Sequence, residues 1–244
     1  MAELELDEKE QGEGAAAPSL PVDPELEAMF KAGLHFGYSQ TRRHPKMEPY
    51  LFGMRNNVEI FDLEKTRVKL NEAISYIKEL KNKNKVMVIV GTKPQIQDLV
   101  QKAGGETGLP YVSRRWIGGL LTNFDIIRKR IDHFESLKQQ RTSGTLEGKY
   151  TKKEINDIDK DLIKLEANFS GVVQLRKLPD ALFIIDPKEE STALREAKRL
   201  DIPVIALASS DADPESAGYL IPGNDSARAS VVYILDKVVG AWKN

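Results

Sequence analysis

Apolar positions along this chain follow two rhythms, and the change from one to the other divides it. Asp23-Pro24 reads as an N-cap and first-turn pair opening a short helix, with Leu26, Met29 and Phe30 on one face. Residues 34–56 show no clear period and read as an irregular, basic and aromatic stretch. Residues 58–61 then form a short strand, and Asp62 caps a helix whose Leu63, Leu70, Ile74 and Ile77 share a buried face. Residues 85–90 (KVMVIV) are nearly continuous in apolar, β-branched side chains, as expected of a strand covered on both sides. Pro94 begins a helix through Ile96, Leu99, Val100 and Ala103, with Gly104-Gly105 as its expected stop. Residues 110–113 are a weaker third strand.

From Thr122, read as a helix cap, the spacing changes. Phe124, Ile127, Ile131 and Phe134 step by three, four and three. After a Gly-containing connection at 141–150, Thr151 and Glu154 form a capping box. Ile155, Ile158, Leu162, Leu165, Phe169 and Val172 then alternate threes and fours. A 3.5-residue period on two successive helices predicts an antiparallel coiled-coil hairpin, with Lys152, Lys153, Asp157, Lys160 and Lys164 on its other faces.

The strand–helix rhythm resumes with strands at 181–185, 204–208 and 219–221. Asp186-Pro187 opens a helix along Leu194, Ala197 and Leu200. Asn224 or Asp225 caps a last helix bearing Val231, Leu235, Val238 and Trp242. Strands alternating with helices require a parallel sheet with helices on both faces. The expected organisation is an acidic, disordered tail at 1–22, an α/β sheet domain from 23–121 and 174–244, and a hairpin insertion at 122–173.

Charge changes this picture more than length does. The 244 residues carry a formal net charge of −1. Nine of the 37 acids but only one of the 36 bases fall within residues 1–30. Residues 31–244 therefore hold 35 basic and 28 acidic groups, a net of +7 beneath an acidic leader. The chain has no cysteine, so disulfides, thiolate metal sites and cysteine nucleophiles are excluded. No stretch approaches the roughly 18 consecutive apolar residues of a membrane span, and the N-terminus is acidic, unlike a secretion signal. A cytoplasmic protein is expected.

Candidate chemistry is sparse. The chain lacks a P-loop, a G-x-S-x-G elbow and an H-E-x-x-H zinc site. Gly91, Thr92 and Lys93 sit between a strand and a helix, where an anion could be held. That position, with Asp186 assisting a metal, supports the competing reading of a nucleotide-binding enzyme. Asp186 before Pro187 is better explained as a helix cap. His35 and His44 lack nearby acids or thiols to complete a metal site, so neither metal nor cofactor is expected.

Two segments read instead as contact surfaces for RNA. The first holds His35, Phe36, Tyr38, Thr41, Arg42, Arg43, His44 and Lys46; the second holds Arg114, Arg115, Trp116 and Asn123. Guanidinium and ammonium groups neutralise phosphates, while aromatic and imidazole rings can stack on exposed bases. Taken alone, Trp116 and Phe36 each read first as core plugs.

At these residues the chain resembles the bacterial-type family of small-subunit ribosomal protein number two. The resemblance rests on residues 33–47 (GLHFGYSQTRRHPKM), 60–66 (IFDLEKT), 115–124 (RWIGGLLTNF), 178–186 (LPDALFIID) and 221–225 (IPGND), in the family's order. Tyr38 stands where that family usually has histidine, and His44 where it has asparagine. The resemblance implies a flavodoxin-like, doubly wound parallel sheet with an inserted antiparallel coiled-coil hairpin. It further implies a structural, non-enzymatic place in the small ribosomal subunit during translation. The partners it implies are small-subunit rRNA and neighbouring proteins, including the mRNA-capturing protein number one where present.

Overall fold

The computed structural model describes residues 23–148 and 150–243, so the expected tail at 1–22 lies outside the described residues. Five strands form the main sheet: β4 (Met87–Val90), β5 (Tyr111–Val112), β6 (Ala181–Ile185), β7 (Val204–Ala208) and β8 (Tyr219–Pro222). All pairings are parallel, in the order β5-β4-β6-β7-β8, which is consistent with a flavodoxin-like sheet. Among the described residues seven α-helices accompany it: α1 (Pro24–Lys31), α2 (Leu63–Asn82), α3 (Gln97–Thr107), α4 (Phe124–Thr142), α5 (Lys152–Phe169), α6 (Ser191–Arg199) and α7 (Arg228–Lys243).

The continuous apolar runs are explained by burial on both faces. Met87, Ile89, Phe183, Ile185, Ile205 and Leu207 face one core, built with α2, α3 and α7. The alternate residues Val88, Val90, Leu182, Ile184, Val204 and Ala206 face a second core with α4, α6 and the end of α5. Every residue of β4, β6 and β7 is buried, so neither face can tolerate polarity.

A second, smaller sheet was not expected. Residues 34–56, read as irregular, contain β1 (Phe36–Ser39) and β2 (Leu51–Arg55), which flank β3 (Val58–Phe61) in an antiparallel sheet of order β1-β3-β2. Pro45, Pro49 and the glycines at 37 and 53 hide its alternation. The overlooked signal is Asn56-Asn57, both left-handed (φ 49° and 62°), forming a two-residue hairpin turn between Arg55 and Val58. Met47, Phe61, Ala208, Ala212 and Leu220 join this sheet to the β7–β8 end of the larger one.

Several helix ends also differ from expectation. Phe30 does not join the core; it is exposed and stacks on His35. Helix α3 runs through Gly104-Gly105 and ends at Gly108 (φ 69°). Gly104 serves packing, because a Cβ there would overlap the Tyr111 ring. The spacing of α5 breaks at Phe169, so Val172 belongs to a 3₁₀ turn. There a Cβ on Gly171 would overlap the Tyr111 carbonyl oxygen. Thr122 does not cap α4; Asn123 holds the cap position without a side-chain bond. The turn at 187–190 precedes α6, whose cap position is Glu190, and Leu200 lies at its exposed end.

Helices α4 and α5 run antiparallel. Lys138 lies 2.6 Å from Glu166 and Arg141 2.7 Å from Asp159, so position rises on one helix as it falls on the other. Ile127, Ile131 and Phe134 are buried, while Phe124, Ile155, Ile158, Leu162 and Leu165 are half-buried. The Thr151–Glu154 capping box is present as expected.

Adjacent glycines in α3 give a paired test. Gly104→Ala should destabilise by about 1–3 kcal/mol through overpacking against Tyr111. Gly105→Ala, whose added carbon meets nothing within 4 Å, should stabilise by about 0.5–1 kcal/mol. Urea denaturation of the two variants beside the parent would show opposite shifts; equal shifts would refute the packing role of Gly104.

Candidate nucleic-acid interface

Parallel strands bring all their C-terminal ends to one edge, and both basic segments lie along it. In sheets of this kind the natural ligand crevice is at the topological switch point, here between β4 and β6. The chain fills that crevice itself. Lys93 Nζ lies 2.6 Å from Asp186 Oδ2, 3.0 Å from Asp225 Oδ1 and 3.0 Å from Ser226 Oγ. Thr92 N–H donates to Glu190 at 2.8 Å, and Ser209 N–H donates to Asp225 at 3.1 Å.

Burial works against the Lys93 charge, but Asp225 and Asp186 outweigh it and its pKa is raised. Burial likewise raises Glu190, and burial with the Asp186 charge raises Asp225. Carboxylates thus occupy the place where residues 91–93 would have cradled a phosphate. Gly91 answers to packing, since an added Cβ would stand 3.1 Å from both Ile96 and Val100. Asp186 is left-handed (φ 61°), and its Oδ1 accepts from Lys188 N and Glu189 N. It therefore caps the turn before α6, not the helix itself. Among the described residues no group of three His, Cys, Asp or Glu side chains could hold a metal ion.

The first basic segment crosses the β7–β8 end of this edge. Gly37 allows close approach, because a Cβ there would lie 3.0 Å from Ser210 Oγ. Ser210 Oγ accepts from Tyr38 N–H, and its carbonyl accepts from His44 N–H at 2.8 Å. His35 stacks on Phe30 (4.3 Å, 7° between planes) and packs at a tilt against Phe36 (3.9 Å, 41°). Burial lowers its pKa, and its Nδ1 has no partner among the described residues. Phe36 is 46% exposed.

Each cation of this segment meets an acid. Arg42 lies 4.3 Å over the Tyr38 ring and 3.4 Å from Asp211, Arg43 is 3.6 Å from Glu59, and Lys46 pairs with Glu215. Tyr38 OH bonds Ser226 Oγ at 2.8 Å, Thr41 bonds Ser39 at 3.0 Å, and His44 Nδ1 accepts from Lys46 N–H. Glu59 is buried, so reversing Arg43 would place two carboxylates together and harm the fold.

The second segment leaves the opposite end of the sheet, after β5. Arg114 and Arg115 are exposed and make no ion pair with the described residues. Trp116 is buried, and Asn123 is exposed. What holds this loop is Glu196 on α6, which the sequence reading missed. At 8% exposure its carboxylate accepts from Trp116 Nε1 (3.1 Å), Gly119 N (2.7 Å), Leu121 N (3.0 Å), Thr122 N (3.1 Å) and Thr122 Oγ1 (3.2 Å). Gly119 supplies the required φ of 89°. Burial raises the Glu196 pKa, yet these donors overcome it and the net shift is downward. A signal did exist: Glu196 shares the face of α6 that buries Ala193 and Ala197. A lone carboxylate on an apolar face must have a partner.

Comparison with known proteins adds to this geometry. The family described as Ribosomal protein S2 matches residues 29–244. The small ribosomal subunit protein uS2 of Dictyoglomus thermophilum is 42% identical over 216 residues, covering 88% of this chain and 87% of that protein. The proteins of the same name from Geotalea uraniireducens and Thermus thermophilus are 41% and 40% identical over 216 and 220 residues. They cover 88% and 90% of this chain, and 84% and 86% of their own lengths.

Glu196→Ala should cost about 3 kcal/mol, since it strands several buried donors. Glu196→Gln should recover part of this, because one amide oxygen still accepts. The depressed pKa gives wild type a stability increment that is present above the ordinary value of 4.5 and lost as pH falls through the folded value. Urea midpoints measured from pH 7 to pH 3 should show that increment in wild type and not in Glu196→Gln. Parallel pH curves would contradict it.

Proposed function

The chain belongs to the ribosomal protein S2 family, and on that premise we propose that it is a structural constituent of the small ribosomal subunit. It binds small-subunit rRNA and neighbouring ribosomal proteins, and it is not an enzyme. The observation that carries this reading is the contrast along one sheet edge. The crevice where an enzyme of this architecture would hold its ligand is filled by Lys93, Asp186 and Asp225, whereas Arg114 and Arg115 beside it stand exposed without ion-pair partners among the described residues.

In this reading Arg114 and Arg115 make the principal phosphate contacts of the second segment, and Asn123 adds a neutral polar contact. Trp116 shapes the loop from within. Arg42, Arg43 and Lys46 reach phosphates from the first segment by exchanging or sharing Asp211, Glu59 and Glu215. Phe36, with His35 behind it, offers a ring for stacking; Tyr38, Thr41 and His44 fix the shape of that loop. The fold is read as a flavodoxin-like domain from 23–121 and 174–244. Residues 122–173 are read as an inserted antiparallel coiled-coil hairpin, supported by the ion pairs between α4 and α5. The location is the ribosome in the cytoplasm, with protein number one among the neighbours where it is present.

A lysate gradient tests the assignment. The protein should sediment with small subunits and be released by ribonuclease or high salt. Joint reversal of Arg114 and Arg115 to Glu should shift most of it to the top of the gradient while leaving the melting temperature within a few degrees. Unchanged co-sedimentation would remove these arginines from the interface, and a parent protein free of ribosomes would defeat the reading as a whole.

A further inference from the structure

We propose that the cleft between the loop after β5 and helices α4 and α5 seats one nucleotide of unpaired RNA, its phosphate on Arg115 and Arg130. The inference rests on the ribosomal reading above and names a specific contact within it. The cleft has a volume of about 470 Å³, within the roughly 300–1,000 Å³ of small-ligand sites. Trp116 and Phe169, both buried, form its apolar floor, while Arg115, Arg130, His133 and Asn168 are exposed around it. No carboxylate lines it.

That composition is unusual for this surface. Most other cations on the two helices are matched, Arg128 with Asp132 and Glu135, Lys138 with Glu166 and Arg141 with Asp159, while Lys129, Lys152 and Lys153 line none of the clefts described. A neighbouring cleft of about 560 Å³ carries Glu135 and Lys138 in its wall. Arg115 and Arg130 face a shared cavity, and neither has an ion pair among the described residues. Arg130 and His133 are three apart on α4 and so are neighbours on its surface. The guanidinium charge of Arg115 and Arg130 is left for something external.

The chemistry favours a nucleotide. Two guanidinium forks grip a phosphate in fixed geometry. An indole and a phenyl ring below give a base an apolar surface, and the Asn168 amide offers both a donor and an acceptor to its edge. A peptide carboxylate carries the same single charge as a phosphodiester, but it brings no flat ring to cover the floor. Glu196 holds Trp116 Nε1 and the following backbone amides, so the floor is set before any ligand arrives. Preorganisation of this kind favours binding.

The test uses the full chain and deproteinised small-subunit rRNA, with affinity measured across a salt series. Arg130→Ala and Arg115→Ala should each weaken binding roughly tenfold and lower the log–log salt slope by about one. Arg130→Lys should keep the slope. Arg176→Ala, an exposed cation already paired with Asp132 and Glu135, should behave as the parent, and melting curves should show all four variants folded. Unchanged affinity and slope in both cleft variants, with Arg42→Glu still weakening rRNA binding, would overturn the cleft while sparing the ribosomal reading. Intact rRNA affinity with lost subunit incorporation would give the cleft to a protein and overturn it also. A parent protein with no salt-sensitive rRNA affinity would end both.

Discussion

Lys93 Nζ lies within 3.0 Å of carboxylates from two other loops, Asp186 after β6 and Asp225 after β8, largely shielded from water. Asp225 also accepts from Ser209 N–H after β7, so one cation organises loops following four of the five parallel strands. Removing one partner of such a buried cluster typically costs about 3–5 kcal/mol, because the remaining charge is left uncompensated. The cluster closes the switch-point crevice and fixes the strand ends relative to one another. The first basic segment then rests on this edge through Ser210, which binds the backbone of Tyr38 and His44. Its register therefore depends on the loop that Asp225 holds.

The two basic segments differ in kind once their partners are known. Asp211, Glu59 and Glu215 moderate the cations between Arg42 and Lys46. An RNA phosphate approaching there must compete with an existing carboxylate, so the net gain is smaller and depends on geometry. Arg114, Arg115 and Arg130 face no such competitor among the described residues, and their attraction for phosphate is correspondingly direct. The net charge of −1 conceals this, because solubility follows the total whereas docking follows the local field.

Fold legibility followed burial. Strands β6 and β7 matched their expected ranges, 181–185 and 204–208, because every residue in them is buried and the apolar run admits no other explanation. Asp62 and the Thr151 capping box were readable because caps are local chemistry. Helix α3 was misjudged at Gly104, where the cause is the ring of Tyr111, a long-range contact that no local rule conveys. The small antiparallel sheet was missed because prolines and glycines obscured its alternation, although Asn56-Asn57 marked its hairpin. For the candidate site, residue types and their clustering were visible, but partners were not. Asp211 and Glu215 lie 169 residues from Arg42 and Lys46, and Arg130 meets Arg115 only through the packing of α4 on the sheet.

Glu196 explains how a loop rich in glycine can still present charge precisely. Gly118-Gly119 lowers the barrier to reversal but raises the entropy that ordering must overcome. A single buried carboxylate accepting from a side-chain indole, three backbone amides and a hydroxyl supplies the opposing enthalpy from within the folded chain. Phosphate attraction alone is insensitive to sequence and fades with salt. Position must come from the protein, and here it comes from a negative group placed behind the positive ones. Glu196 fixes the course of residues 116–122, the stretch that follows Arg114 and Arg115, and in the proposed interface that fixed course is what gives a nonspecific attraction a defined seat.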